Sequence, residues 1–187
     1  MSTKIREIRI GDVKIGGDNP IMVQSMAATR TQDRDATLKQ INSIWEAGAG
    51  LVRVAIDNKD DVEALKWLRE RTEANLVVDL QENYLLAEKV APFVQKFRYN
   101  PGHLHHLQKK KTIEEKVEWL VNIAKEHDCA IRIGVNCGSV APAFLEKYED
   151  KDEAIIQSAI YHVDLMDKYG FENFCVSIKD SDPVLAG

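Results

Sequence analysis

Cysteine is scarce in this chain: Cys129, Cys137 and Cys175 are widely spaced, odd in number and form no C-x-x-C pair. That pattern indicates neither a disulfide framework nor a structural zinc site, and the apolar runs around Cys129 and Cys175 read as strand cores with a small thiol in them. Long hydrophobic runs are missing too. Nothing approaches the roughly 20 apolar residues of a membrane-spanning helix, and the opening MSTKIREIRIGD lacks the apolar segment of a secretory leader, so a soluble, cytoplasmic protein is expected. Excess positive charge is also absent. Lys and Arg number 25 against 30 Asp and Glu, a net charge of −5, which argues against a nucleic-acid or membrane surface and makes any basic site a local one. No linker rich in Pro, Gly or Ser and no close repeat divides the chain, so residues 1–187 read as a single domain.

What the chain does have is alternation. With 44% hydrophobic residues it can bury a sizeable core. IREIRIGDVKIGG reads as a hairpin turning at Gly11-Asp12. Then come six strand-like runs, IMVQ, LVRVAI, LVVDL, KFRYN, CAIRIGVN and NFCVSIK. Between them lie helical stripes: Leu38, Ile41, Trp45 and Ala49; Ile113, Val117, Leu120 and Ala124; Ile156, Ala159, Ile160, Val163 and Met166. Thr112 with Glu115 forms a capping box before the second stripe, and the KKK at 109–111 belongs on a solvated loop. Strands that alternate with helices pair in parallel, so the class is α/β. A dinucleotide-binding sheet would show a Gly-rich turn after its first strand; SMAATRTQD stands there instead. The expectation is therefore a TIM-type (β/α)8 barrel, represented by an N-terminal hairpin and about six βα units, because a whole barrel takes around 250 residues.

Strand parity then points to a site. Arg53 shares a face with Leu51 and Ala55, Asp79 lies opposite Val78 and Leu80, Arg98 goes with Asn100, Arg132 with Asn136, and Ser177 with Lys179. In a barrel the outward face packs under helices and takes the aliphatic set, leaving the polar set to point inward. Three arginines and a lysine at one mouth repel one another unless a polyanion neutralises them. The guanidinium fork matches phosphate oxygens in a bidentate way, so an anion pocket is expected. Asn100 and Asn136 would serve hydroxyls, and Gly134 and Gly138 would permit close backbone approach.

At these residues the chain resembles the N-terminal barrel of the 4-hydroxy-3-methylbut-2-enyl diphosphate synthase family. The resemblance rests on IGGDNPIMVQSMAATRT, AGAGLVRVAI, LVVDL, RYNPG, RIGVNCGS, LEKY and VSIKDSD in order, and covers essentially the whole chain. It implies an oxidoreductase of non-mevalonate isoprenoid biosynthesis that reductively opens 2-C-methyl-D-erythritol 2,4-cyclodiphosphate with electrons passed through a 4Fe-4S cluster and supplied by ferredoxin or flavodoxin. It implies that Arg53, Arg98, Arg132 and Lys179 hold the diphosphate, with Asp79, Asn100 and Asn136 at pocket positions. No catalytic residue is assigned. The family reads D-I-H-F-D where this chain has DLQENY, so Gln81 takes the place of a histidine, and HLHHLQKKK replaces the usual N-I-G after RxNPG. The C-terminal iron-sulfur domain and its ligands are absent from this chain, so no cofactor is expected in it and catalysis by it alone is not.

Metal ligation by His103, His105 and His106 is weighed and set aside, because no thiolate or carboxylate neighbour completes a set; His127 and His162 are expected on the surface. A pterin-binding barrel of the dihydropteroate synthase type and a non-catalytic binding module stand as alternatives. A barrel ending after its sixth strand would leave two unpaired edges, so self-association or a mobile C-terminal end is expected.

Overall fold

Gly11 and Asp12 close a hairpin between β1 (Ile8–Ile10) and β2 (Val13–Ile15), with Ile10 opposite Val13 and Gly11 at φ 63°. Glycine adopts that positive φ without steric cost. The computed structural model describes residues 5–179; MSTK at one end and DSDPVLAG at the other, with the last three residues of VSIKDSD, lie outside the described residues.

Six parallel strands follow in chain order: β3 (Gln24–Met26), β4 (Leu51–Ala55), β5 (Leu76–Asp79), β6 (Lys96–Tyr99), β7 (Ala130–Asn136) and β8 (Phe174–Lys179). Each pairs with the next. An open doubly wound sheet reverses its strand order at a switch point, and no reversal occurs here. The sheet also curls. Nζ of Lys96 on β6 donates to Oε1 of Gln24 on β3 at 2.9 Å, whereas three strand spacings across a flat sheet would separate those backbones by roughly 14 Å.

The helices that cross back are α1 (Arg34–Glu46), α2 (Lys59–Arg69), the short α3 (Ala87–Val90), α4 (Ile113–Glu126), the short α5 (Pro142–Lys147) and α6 (Lys151–Lys168). The starts of α1, α2 and α4 are capped by side chains: Asp33 accepts from Ala36 N, and Asn58 with Asp61 and Thr112 with Glu115 form capping boxes. Each such cap contributes about 1 kcal/mol by satisfying amides that the first turn leaves orphaned.

Two cores result. The larger lies between helices and the outward strand face, where Val52, Val54, Val78, Phe97, Ile131 and Ile133 meet Ile41, Leu65, Val117 and Leu120. The smaller lies on the inward face, where Ile8, Ile10 and Val13 of the hairpin cover Leu51, Val77 and Ala130. The hairpin thus closes the end of the half-barrel at which the strands begin. Full burial of each such aliphatic side chain stabilises by about 1.5–3 kcal/mol.

Three expectations are corrected. The first strand is Gln24–Met26, later than IMVQ, and Ile21 is 97% exposed; β3 is an edge strand paired only with β4 among the described residues, so the preceding run finds no second neighbour. Helix α1 stops at Glu46 because Gly48, at φ 93°, takes the chain out of the helix, and Ala49 is buried in the loop instead. On α6 the buried face runs through Ala154, Ile155, Ser158, Ala159, His162, Leu165 and Met166, leaving Ile156 and Ile160 exposed. His162, expected at the surface, is therefore inside. Its Nδ1 shares a hydrogen bond with the Tyr99 hydroxyl at 2.9 Å.

Candidate anion-binding site

Alternation along β4 to β8 sends the aliphatic set outward under the helices and the polar set inward. Arg53, Asp79, Arg98, Arg132, Asn136 and Lys179 all occupy the inward set, as parity predicts. Pairing aligns them further. Asp79, Arg98 and Arg132 are consecutive partners across β5, β6 and β7, and Asn136 is the partner of Lys179 across β7 and β8. All stand above the apolar layer of Leu51, Val77 and Ala130, toward the C-terminal ends of the strands, the face on which barrel enzymes build their sites.

Arg98 is the buried centre of this row. Its Nη1 donates to Oδ1 of Asp79 at 2.9 Å, its Nη2 to the Gly134 carbonyl at 3.0 Å, and both side chains of the ion pair are almost wholly enclosed. The orientation of the Asn136 carboxamide that satisfies both of its ends puts its oxygen 3.1 Å from the same Nη2. Nε of Arg98 is buried with no acceptor among the described residues. Gly134 is required here for a reason other than the expected ligand approach: a Cβ on it would fall inside the Arg98 guanidinium.

The neighbouring cations are less committed. Arg132 donates through Nε to Ser177 Oγ at 3.1 Å. Arg53 points Nε and Nη2 at Met26 Sδ, 3.2 and 3.0 Å away, and a thioether is a weak acceptor. Burial lowers the Arg53 guanidinium from its ordinary value, and although Asp79 opposes this, Arg132 and Arg98 push it further down. Lys179 is lowered by burial first and then by Arg53, Arg98 and Arg132, again against Asp79. The charges feel one another, and Asp79 does not balance them.

Sequence reasoning missed Lys96. It lies two residues before Arg98 on the same inward face, buried at 4% exposure, with Gln24 as its hydrogen-bond partner. Burial, with Arg132 and Arg53 nearby, brings its ammonium down to about 8. The signal was available, since parity from Arg98 places Lys96 inward. Asn100, by contrast, is inward but spent. Its Oδ1 accepts from Gly102 N at 3.0 Å and its Nδ2 donates to Ser139 Oγ at 2.8 Å, which ties the RYNPG turn to the RIGVNCGS turn. A Cβ on Gly102 would overlap the Ser139 carbonyl, so the two motifs touch backbone to backbone.

Gln81 stands beside Asp79 at φ 46°, its carbonyl accepting from Nδ1 of His103 at 3.1 Å. His103 stacks on His106, and His105 meets His106 edge to face, so these rings pack on one another, with His106 the most exposed of the three. Next to the cationic row, a cavity of about 380 Å³ opens between the loops after β3 and β4, lined by Thr29, Thr31, Asp57, Asn58 and Asp61 among others. Burial and the neighbouring Asp61, Asp79 and Glu82 raise the Asp57 carboxyl. Among the described residues no cluster of His, Cys, Asp and Glu could hold a metal, and no helix is long and apolar enough to cross a membrane.

A half-barrel of parallel strands with a row of cations at its C-terminal mouth defines the class: a TIM-type α/β barrel. A profile of the GcpE TIM-barrel domain matches residues 5–186, and the chain belongs to that family. It is 54% identical over 180 residues to the 4-hydroxy-3-methylbut-2-en-1-yl diphosphate synthase (flavodoxin) of Rhodopirellula baltica, covering 95% of this chain and 47% of that protein. It is 43% identical over 183 residues to the protein of the same name from Actinobacillus pleuropneumoniae serotype 5b, covering 97% and 48%. The chain thus spans about half the length of these curated relatives. Among solved structures it is similar to Yersinia pestis dihydropteroate synthase, with a TM-score of 0.62 at 13% identity, covering 91% of this chain and 61% of that one. A second is 3-dehydroquinate dehydratase from Geobacillus kaustophilus, with a TM-score of 0.60 at 12% identity, covering 96% and 70%. At such identities the likeness is one of fold.

Proposed function

We propose that this chain is the substrate-binding part of a 4-hydroxy-3-methylbut-2-en-1-yl diphosphate synthase, an oxidoreductase of isoprenoid biosynthesis, and that Arg53, Arg98, Arg132 and Lys179 grip the diphosphate of 2-C-methyl-D-erythritol 2,4-cyclodiphosphate. The observation that carries this reading is the inward row of cations with unspent donors: Arg53 has only a thioether, and Arg132 is held through Nε alone among the described residues. Charge-assisted hydrogen bonds to phosphate oxygens contribute about 1.5–3 kcal/mol each. Asp79 orients Arg98 rather than touching the anion, since a carboxylate repels phosphate. The carboxylate- and hydroxyl-lined cavity beside the row suits the hydroxyl-bearing carbon skeleton.

The chemistry implied for the whole enzyme needs a 4Fe-4S cluster and an electron donor, and the relatives' names point to flavodoxin. The described residues do not fit that cluster: Cys129 packs among the helix-covered core and Cys175 against the inward floor, on opposite faces of the sheet. Calorimetric titration tests the binding role. The cyclodiphosphate should release heat on mixing with the protein and lose it with Arg98→Met, while a dihydropterin should give none. Binding of the pterin in place of the cyclodiphosphate would overturn the reading.

A further inference from the structure

Lys96 is the one inward cation below the level of Arg98 that the described residues leave without a carboxylate. Its Nζ has three hydrogens to donate and a single partner, the neutral Oε1 of Gln24. The groups that face it are Gln24 from β3, Arg53 from β4, Arg132 from β7 and Cys175 from β8, with Val77 and Ala130 as its partners in the sheet. Two of these are fixed cations and none is a carboxylate, although Cys175 opposes the lowering of the amine. An ammonium buried among them lacks a counter-ion, a state that proteins avoid by losing the proton or acquiring an anion.

We propose that Lys96 is the floor of the anion site and couples ligand binding to proton binding: in mildly alkaline solution the amine gains a proton as the anion enters and gives it up as the anion leaves. The balance is simple, since a solvent proton joins the Nζ lone pair and one negative charge on the anion offsets it. This deepens the diphosphate reading and rests on it. The depression of the Lys96 amine to about 8 places the exchange within an accessible pH range. Lys179 is a second titrating ammonium at the mouth, so the test must separate the two.

Sulfate is a suitable probe because its own charge is constant above pH 3. At fixed ionic strength, its affinity for the wild type should fall about tenfold between pH 7 and pH 9, because only about one molecule in ten then carries the charge on Lys96. In Lys96→Met the affinity at pH 7 should already be low and this part of the pH dependence should vanish. A readout that needs no variant is proton uptake: adding sulfate to the wild type in weakly buffered solution at pH 8 should consume about half a proton per site. A flat pH profile with no uptake, or a tenfold fall that persists in folded Lys96→Met, would overturn the coupling while leaving the anion site intact. Failure of sulfate and pyrophosphate to bind at any pH would overturn both.

Discussion

A guanidinium and an ammonium differ less in charge than in shape, and the site uses the shape. Arg132 keeps its register beside Arg98 and, among the described residues, spends only Nε, on Ser177; the two Nη groups form the fork that a diphosphate would fill. Arg132→Lys should therefore fold normally, with a melting temperature close to that of the wild type. Its affinity for the cyclodiphosphate, or for pyrophosphate as a weaker stand-in, should drop by roughly 1–3 kcal/mol, the scale of one charge-assisted contact. Unchanged affinity in titration calorimetry would remove Arg132 from the site. At this scale the sequence was a good guide to which face a side chain takes, because strand period is 2 and admits no drift. It was a poor guide to what the side chain does there. Parity put Arg98 and Asn100 together, yet one is the hub of the row and the other is consumed by Gly102 and Ser139, a distinction set by where two turns meet. Gly134 was read as room for a ligand and proves to be room for Arg98.

Elements were legible where local chemistry decides them. Capping at Thr112, the hairpin at Gly11 and the five strands β4 to β8 all follow from residue type and spacing. Helix phase was less so. On α6 apolar residues surround much of the helix, so the stripe through Ile156 and Ile160 competes with the one that packing selects, and the neighbours α4, α5, β7 and β8 choose between them. The choice buries His162 against Tyr99, where burial depresses the imidazole to about 3 despite the opposing pull of Glu114. A histidine whose folded value lies below its unfolded value of about 6.5 stays neutral in the native state while the unfolded chain takes up a proton. Its contribution to stability is complete above pH 6.5 and is lost as the pH falls toward 3, at about 1.4 kcal/mol per unit. His162→Gln keeps a polar partner for the Tyr99 hydroxyl and removes the titration, so its acid-unfolding midpoint should lie at lower pH than that of the wild type. Parallel pH profiles for the two proteins, followed by circular dichroism, would show that another group governs the acid limb.

For the whole molecule, the open question in the described fold is its edges. Among the described residues β3 pairs with β4 alone and β8 with β7 alone. The outward side of β8 exposes Val176 and Ile178, α6 packed beside it exposes Ile156 and Ile160, and Ile21 and Val23 lead bare into β3. Parallel strands normally lie under helices on their outer face, and natural edge strands are shielded by charge, bulges or a covering element. Among the described residues neither edge carries such protection apart from the single Lys179 on β8. Studied as 187 residues in isolation, the chain is therefore expected to self-associate, one copy's β8 side offering the apolar cover that another's lacks. Light scattering over a concentration series should show mass rising with concentration. Ile178→Lys combined with Ile160→Lys, both at exposed positions with little folded-state packing to lose, should suppress that rise without lowering the melting temperature by more than a few degrees. Anion binding should survive the double substitution, because the outward face of β8 and the inward face that carries Lys179 are separated by the strand itself. A wild-type chain that stays monomeric at every concentration would mean that these apolar side chains are tolerated in water as they stand.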